Sequence, residues 1–223
     1  MLIKSKAIVL KTIRYSESDL IVKLYTQDRG ILSFILKGVL KSKKGKIRAS
    51  FFQIGNQLEI DYIYRTRSNL QHLKEVKISS HYRDLSTNIF KSSVLTFVLE
   101  VFHNVLPDED QDVPCFIFLE QSLLWLDNSE DYLLFHHYFL LQLTHYLGCF
   151  PTKEAYDYSH VYSTIDFSMF EPYLDLELAS LNTLKVPKSE RELLLEKILS
   201  YYKLHLPDFK EPKSLLVFKQ LFS

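Results

Sequence analysis

Glycine is scarce in this chain, with 5 among 223 residues. A backbone that wraps a pyrophosphate needs glycines at set offsets, and neither GxGxxG nor GxxxxGK[ST] occurs, which excludes nucleotide-cradling loops of those kinds. Cysteine is scarcer still. Cys115 and Cys149 form no CxxC pair and no disulfide framework, which excludes a zinc ribbon and fits a reducing cytoplasm. Both thiols are expected to be buried as small hydrophobes. No GxSxG appears. No 18 apolar residues run without a charge, so no membrane span is expected. The opening MLIKSKAIVLKTI alternates charged and apolar residues, unlike the unbroken apolar region of a signal peptide.

Net charge is lacking too, at 27 Lys and Arg against 27 Asp and Glu, but the balance is an average over two unlike regions. Residues 1–80 carry 16 cations against 6 acids, and residues 81–223 carry 11 against 21, so the halves stand near +10 and −10. A basic region attracts polyanions and an acidic one does not. The split places a domain boundary near residue 80.

The hydrophobic period changes at the same place. AIVLKTI, DLIVKLYT, ILSFIL and LEIDYIYR are short, rich in β-branched and aromatic residues, and separated by polar turns. Leu58, Ile60, Tyr62 and Tyr64 alternate with Glu59 and Asp61, TQDRG reads as a tight hairpin turn, and 69–78 completes a fifth strand. After residue 80 the spacing is helical, with helices expected over 82–105, 112–126, 129–147, 188–205 and 212–222. SEDY should cap the third and Gly148 should close it. Residues 150–176 have no clear period. Their tyrosines and phenylalanines, Tyr156 to Tyr173, read as core packing rather than a peptide groove. The fold class is therefore α+β multidomain. Residues 1–80 form a small closed barrel, for which an OB-fold fits best and an SH3-like barrel would read much the same. Residues 81–223 are all-α.

The densest feature is KGVLKSKKGKIR, residues 37–48, with six cations and no acid. A solvated loop would look similar. However, the run sits on a domain already positive, and Phe34, Phe51 and Phe52 flank it. Phosphates need cations and unstacked bases need flat apolar faces, so this pattern points to single-stranded nucleic acid. Lysine is a point charge, and only Arg48 in the run could read a base edge in bidentate geometry, so the expected contact is with backbone. Neutralising about six phosphates on a single strand gives a slope of log K against log salt near −4.

Catalytic patterns are weak. Glu17 and Asp19 are paired carboxylates that could hold Mg²⁺, but beside Arg14 at a strand start they read better as structural. His136 and His137 are adjacent and so point about 100° apart on a helix, while His145 follows His137 by eight residues rather than four, so HExxH geometry is absent. No enzyme activity and no cofactor are expected.

Several segments together resemble the bacterial recombination mediator RecO family. The strand KAIVLKTI leads to Tyr15, Glu17 and Asp19, then Thr26, Gly30 and Lys37-Gly38 ahead of a basic stretch, as in that family. NLQHLKEV resembles its last barrel strand, YLGCFPT at 146–152 its helix end of Gly then Pro, and ILSYYKLHLPDFKEPKSLLVF its closing helices. The resemblance implies an N-terminal OB-fold, a helical C-terminal domain, and a cytoplasmic, non-enzymatic mediator of DNA repair and recombination. Such a protein binds single- and double-stranded DNA, anneals complementary strands, pairs with RecR, and helps load RecA onto strands coated by single-strand-binding protein. On that basis Lys37, Lys41, Lys43, Lys44, Lys46 and Arg48 would contact DNA, with Arg14 and Arg29 as further candidates. Many members carry a four-cysteine zinc site after the Gly-Pro segment. Here TKEAYDYSHVYS has no Cys, so zinc is not expected, and packing of Tyr156, Tyr158, Tyr162 and Phe167 would replace it. The family docks the acidic, apolar-ended tail of single-strand-binding protein on its helical domain, where Lys213 and Lys219 are candidates. An RNA-binding or ribosome-associated OB protein, and a metal-dependent nuclease using Glu17 and Asp19, are the competing readings.

Overall fold

The computed structural model of the chain describes residues 1–41, 46–152 and 167–222. Two compact units result: Met1–Arg83 with Leu106–Leu123, and Asp84–Val105 with Leu124–Ser223. The segment 106–123, which the helical period placed with the second half, thus belongs to the first unit.

The first unit is built on five antiparallel strands, β1 Leu2–Arg14, β2 Leu20–Thr26, β3 Gly30–Leu36, β4 Gln57–Ile63 and β5 His72–Ile78, in the order β3-β2-β1-β4-β5. β1 is nearly twice as long as the others because its first half pairs with β4 and its second half with β2, with an irregularity between Val9 and Lys11 that bends it from one partner to the other. The two edges approach at Gln71. Its N–H donates to the Ser33 carbonyl at 2.8 Å, and its carbonyl accepts from Ile35 N–H at 3.1 Å. This closes the sheet into the OB-fold barrel. Inward residues alternate as a period of two requires: Leu20, Val22 and Leu24 on β2, Leu32, Phe34 and Leu36 on β3, and Leu58, Ile60 and Tyr62 on β4. Phe34 meets Tyr62 edge to face at 5.3 Å between ring centres.

The TQDRG turn forms as expected. Gly30 has φ of +68°, and a Cβ there would lie 2.1 Å from the Asp110 carbonyl oxygen, so only glycine fits. The segment that presses on it leads into helix α2, Val113–Asn128, whose first turns cover the outer wall of the barrel. Tyr25 stacks near Phe116 at 5.7 Å and donates to the Asp112 carbonyl, while Gln57 donates to the Glu120 carbonyl and Lys6 pairs with the Glu120 carboxylate at 2.9 Å. An outer wall carrying Tyr25 cannot face water without cost, which is why a helix lies on it.

The second unit contains α1 Ile89–Val105, α3 Phe135–Tyr146, a short α4 Glu171–Leu174, α5 Lys188–His205 and α6 Leu215–Phe222. α1 starts later than the period from residue 82 indicated. Asn88 accepts from the N–H groups of Phe90 and Lys91 as an N-cap, and the Asp127 carboxylate takes the N–H groups of Asp84 and Leu85, so the chain before Asn88 is held outside the helix. α3 also starts late, at Phe135 instead of 129. The Ser129 hydroxyl donates to the Asp131 carbonyl rather than capping a helix. Gly148, at φ of +68°, closes α3. α6 packs on α1 through Phe97 and Phe218, stacked at 4.7 Å, and the N–H groups of Lys213 and Ser214, just before its first residue, are taken by Glu100 on α1. Cys115 is buried as expected, but Cys149 is only half-buried. Tyr156, Tyr158 and Tyr162 lie outside the described residues. Among the described residues, no helix is long and apolar enough to cross a membrane.

Candidate nucleic-acid interface

The strand register determines which cations meet. Arg14 pairs with Leu20 and Leu20 with Leu36, so the end of β1, the start of β2 and the end of β3 share one edge of the barrel, and Lys37 follows directly. Two loops there are tied together. The Asp19 carboxylate accepts from Gly38 N–H at 2.8 Å and from the Ser18 hydroxyl, and the Ser18 carbonyl accepts from Leu40 N–H. The Gly38 N–H, foremost among these donors, holds the Asp19 carboxyl below the usual carboxylate range. A carboxylate committed to a loop in this way positions backbone. Its neighbour Glu17 is exposed and pairs with Lys41 at 3.5 Å.

Arg14, Lys37 and Lys41 therefore project from one tied rim, all exposed. Lys46 and Arg48, also exposed, lead into a 3-10 turn at Ala49–Phe52 that Thr12, two residues before Arg14, anchors by donating to the Phe52 carbonyl at 2.7 Å. Lys43 and Lys44 lie outside the described residues. Arg29 is not part of this rim. It sits in the β2–β3 turn at the other end of β2, seven residues or roughly 20 Å away at the rise of an extended strand.

The flanking aromatics require a correction. Phe34 and Phe52 are 0% and 2% exposed, fill the barrel and offer no face to a base, while Phe51 is half-buried against the same core. The ring that is open at this rim is Tyr15, 63% exposed and next to Arg14. Its place in a polar turn, RYSESD, was the sequence signal for it. The run Lys37–Arg48 drew attention to its own neighbours, of which Phe34 lies on the inward face of β3 and Phe52 turns into the core from the 3-10 turn.

The helical unit carries a different site, a cavity of about 440 Å³ that Lys188, Arg191 and Lys219 share with Leu193, Phe218 and Phe222. His136 and His137 border it from α3, fully buried and 3.9 Å apart between ring centres. Burial lowers the pKa of both, that of His137 to about 4, and the ring nitrogen Nε2 of His137 donates to the Arg191 carbonyl at 2.8 Å. Neutral imidazoles that pack against rings are wall residues. Among the described residues, no group of three or more His, Cys, Asp or Glu could hold a metal ion.

Two family models match successive parts of the chain. The family model for "Recombination protein O N terminal" matches residues 1–82, and that for "Recombination protein O C terminal" matches residues 86–154. Among curated relatives, the DNA repair protein RecO of Flavobacterium psychrophilum is 34% identical, that of Christiangramia forsetii 36% and that of Phocaeicola vulgatus 33%, each over 100% of both chains.

Proposed function

This chain belongs to the RecO family of DNA repair proteins, and from that premise we propose that it is a non-enzymatic recombination mediator whose barrel rim grips the phosphates of DNA. One observation carries the reading: Arg14, Lys37, Lys41, Lys46 and Arg48 are exposed at or beside one tied end of an OB-fold, with Tyr15 open among them. Lysines on loops neutralise phosphates without demanding a base geometry, and a single exposed ring can stack one base of any kind. The rim therefore suits single strands regardless of sequence and the backbone of a duplex. Two complementary strands bound with their base edges unread are free to pair, which is the physical requirement for annealing. Acting in the cytoplasm with RecR, the protein would then help RecA onto strands coated by single-strand-binding protein.

The tail of single-strand-binding protein, acidic and apolar at its end, fits the cavity of the helical unit. There Lys188, Arg191 and Lys219 supply cations beside Glu192 and Glu196, with Lys188 paired to Glu192 at 3.8 Å, and Leu193, Phe218 and Phe222 supply apolar surface. Lys219 lines this cavity, whereas the backbone of Lys213 is engaged by Glu100.

Annealing of complementary oligonucleotides, bare and coated with the cognate single-strand-binding protein, tests the reading. Faster annealing of coated strands supports mediation, and inhibition marks a generic binder. Tighter binding of RNA than of DNA of one length would favour the RNA-binding alternative, because only contacts at the 2′-OH separate the two.

A further inference from the structure

The end of the barrel opposite the lysine rim is also cationic, and its side chains are fixed by a network of their own. Arg29 lies with its guanidinium over the Tyr64 ring at 4.0 Å, and Tyr64 is itself fixed by donating to the Glu109 carboxylate at 2.9 Å. Glu109 is the one non-glycine with positive φ among the described residues, at 59°, a conformation that persists only where the surroundings impose it. Its N–H is held by the Ile31 carbonyl. A strained carboxylate thus orients a ring, and the ring orients a guanidinium.

The next segment, Arg65-Thr66-Arg67-Ser68, is a tight turn in which Ser68 N–H donates to the Arg65 carbonyl. Gln71, 1% exposed, uses its whole side chain on this turn. Its oxygen accepts from Arg65 N–H at 2.8 Å, and its nitrogen donates to the carbonyls of Arg65 and Ser68 at 3.1 and 2.7 Å. The backbone of the same residue closes the barrel, so the turn is fixed to the seam of the fold. What the turn displays is two exposed arginines, neither in an ion pair among the described residues, whereas Arg29 is paired with Asp28 at 3.7 Å. Arg29, Tyr64, Arg65 and Arg67 line one open cavity of about 620 Å³, and neither Asp28 nor Glu109 lines it.

Three guanidiniums converging on a pocket with an aromatic wall match phosphodiesters and stacked bases better than they match a carboxylate, because the planar fork binds phosphate oxygens in pairs and also stacks on rings. We propose that Arg29, Arg65 and Arg67 around Tyr64 form a second phosphodiester-binding site, which holds a nucleic-acid strand at the end of the barrel opposite the lysine rim. The proposal rests on the reading of the barrel as a nucleic-acid binder. It adds a second strand to each barrel, separated from the first by about the length of β2.

The test is the stoichiometry of a short oligothymidylate without terminal phosphates, titrated calorimetrically at low salt into the full chain. Two oligomers should bind per chain, and one per chain should remain after Arg29→Ala, Arg65→Ala and Arg67→Ala together. The double variant Arg65→Ala/Arg67→Ala, confined to an exposed turn, should weaken the second event at least tenfold with the melting temperature unchanged. One oligomer per chain, unaffected by these changes, would overturn the second site and leave the rim standing. One oligomer per chain, lost with the arginines but indifferent to Lys37→Ala and Lys41→Ala, would instead overturn the rim as the binding surface. Inorganic phosphate displacing the oligomer from the arginine end at equal phosphate concentration would make this a free-anion site and end the strand-binding proposal.

Discussion

The two units treat polar groups in opposite ways. Among the described residues, the buried polar side chains of the barrel unit are Thr26, Asn56, Gln57, Gln71 and Ser122, none of which titrates, and none of its Lys, Arg, Asp or Glu is buried. In the helical unit they include Lys91, Asp127, His136 and His137. Lys91, with a side chain 5% exposed, pairs with Asp84 at 2.9 Å and donates to the Asp127 carbonyl at 2.6 Å. The difference follows from topology. A barrel closed by backbone hydrogen bonds needs no buried charge to hold its seam, and its ion pairs, such as Lys41 with Glu17 and Lys4 with Asp61, lie at the surface. Helices joined by irregular segments leave carbonyls and N–H groups without partners, and charged side chains complete them.

The largest expected effect that would break this contrast is on stability. Lys91→Met should destabilise the helical unit by about 3 kcal/mol, because Asp84 and the Asp127 carbonyl lose a buried cation. Lys41→Met, at an exposed pair, should change barrel stability by less than ~0.5 kcal/mol. Urea titration read by unit-specific hydrogen exchange separates the two, and equal losses would refute the contrast.

Next in size is affinity. Replacing Arg14, Lys37, Lys41 and Lys46 with Ala should lower single-strand affinity roughly a hundredfold near physiological salt and flatten the salt slope by about 3, at roughly 0.7 for each phosphate no longer neutralised. Fluorescence anisotropy at several salt concentrations measures both. A slope that does not move removes the rim from the interface.

A smaller effect is pH dependence confined to the helical unit. His136 and His137 are held neutral in the fold, whereas in the unfolded chain each takes a proton below about 6.5, so their contribution to stability is complete above that value. It is lost as pH falls from about 6.5 toward their lowered values, near 4 for His137. At pH 5.5 the pair should cost on the order of 2 kcal/mol. Protection factors, which are corrected for intrinsic exchange, should fall in α3 and α5 between pH 7 and 5.5 while those of β1 to β4 change little, and His137→Phe should shrink the difference. The smallest effect is that of a chelator. With no cysteines to ligate zinc after Gly148 beyond Cys149, EDTA should move the melting temperature by less than ~1 °C.

Much of this was legible in the residues. The period-2 runs produced four of the five strands nearly in place, and a helical period follows β5, but the halves of opposite charge do not coincide with the two units, because the acidic segment 106–123 belongs to the barrel unit. Tyr15, Glu17, Asp19 and Lys37-Gly38 identified the family before any geometry. Helix starts were less legible, because Asn88 and Ser129 are equally good caps on paper, and only Asn88 is used as one. Segment 106–123 reads as helical yet belongs to the barrel unit, since periodicity reports that a face will be buried but not against what.

Charge density along the chain singled out the lysine rim, since six cations in twelve residues are visible without a fold. It could not show that Phe34 and Phe52 turn inward while Tyr15 stays open, because one residue's difference in strand register exchanges the faces. Nor could it gather Arg29, Arg65 and Arg67, which are 36 and 38 positions apart in sequence from the first and meet only because β4 returns antiparallel to β1 and the seam at Gln71 fixes the turn between them. Composition and periodicity are local sums, so they determined the strands, the helices and the basic run. The convergence of distant side chains depends on strand register and barrel closure, which the tertiary structure alone decided.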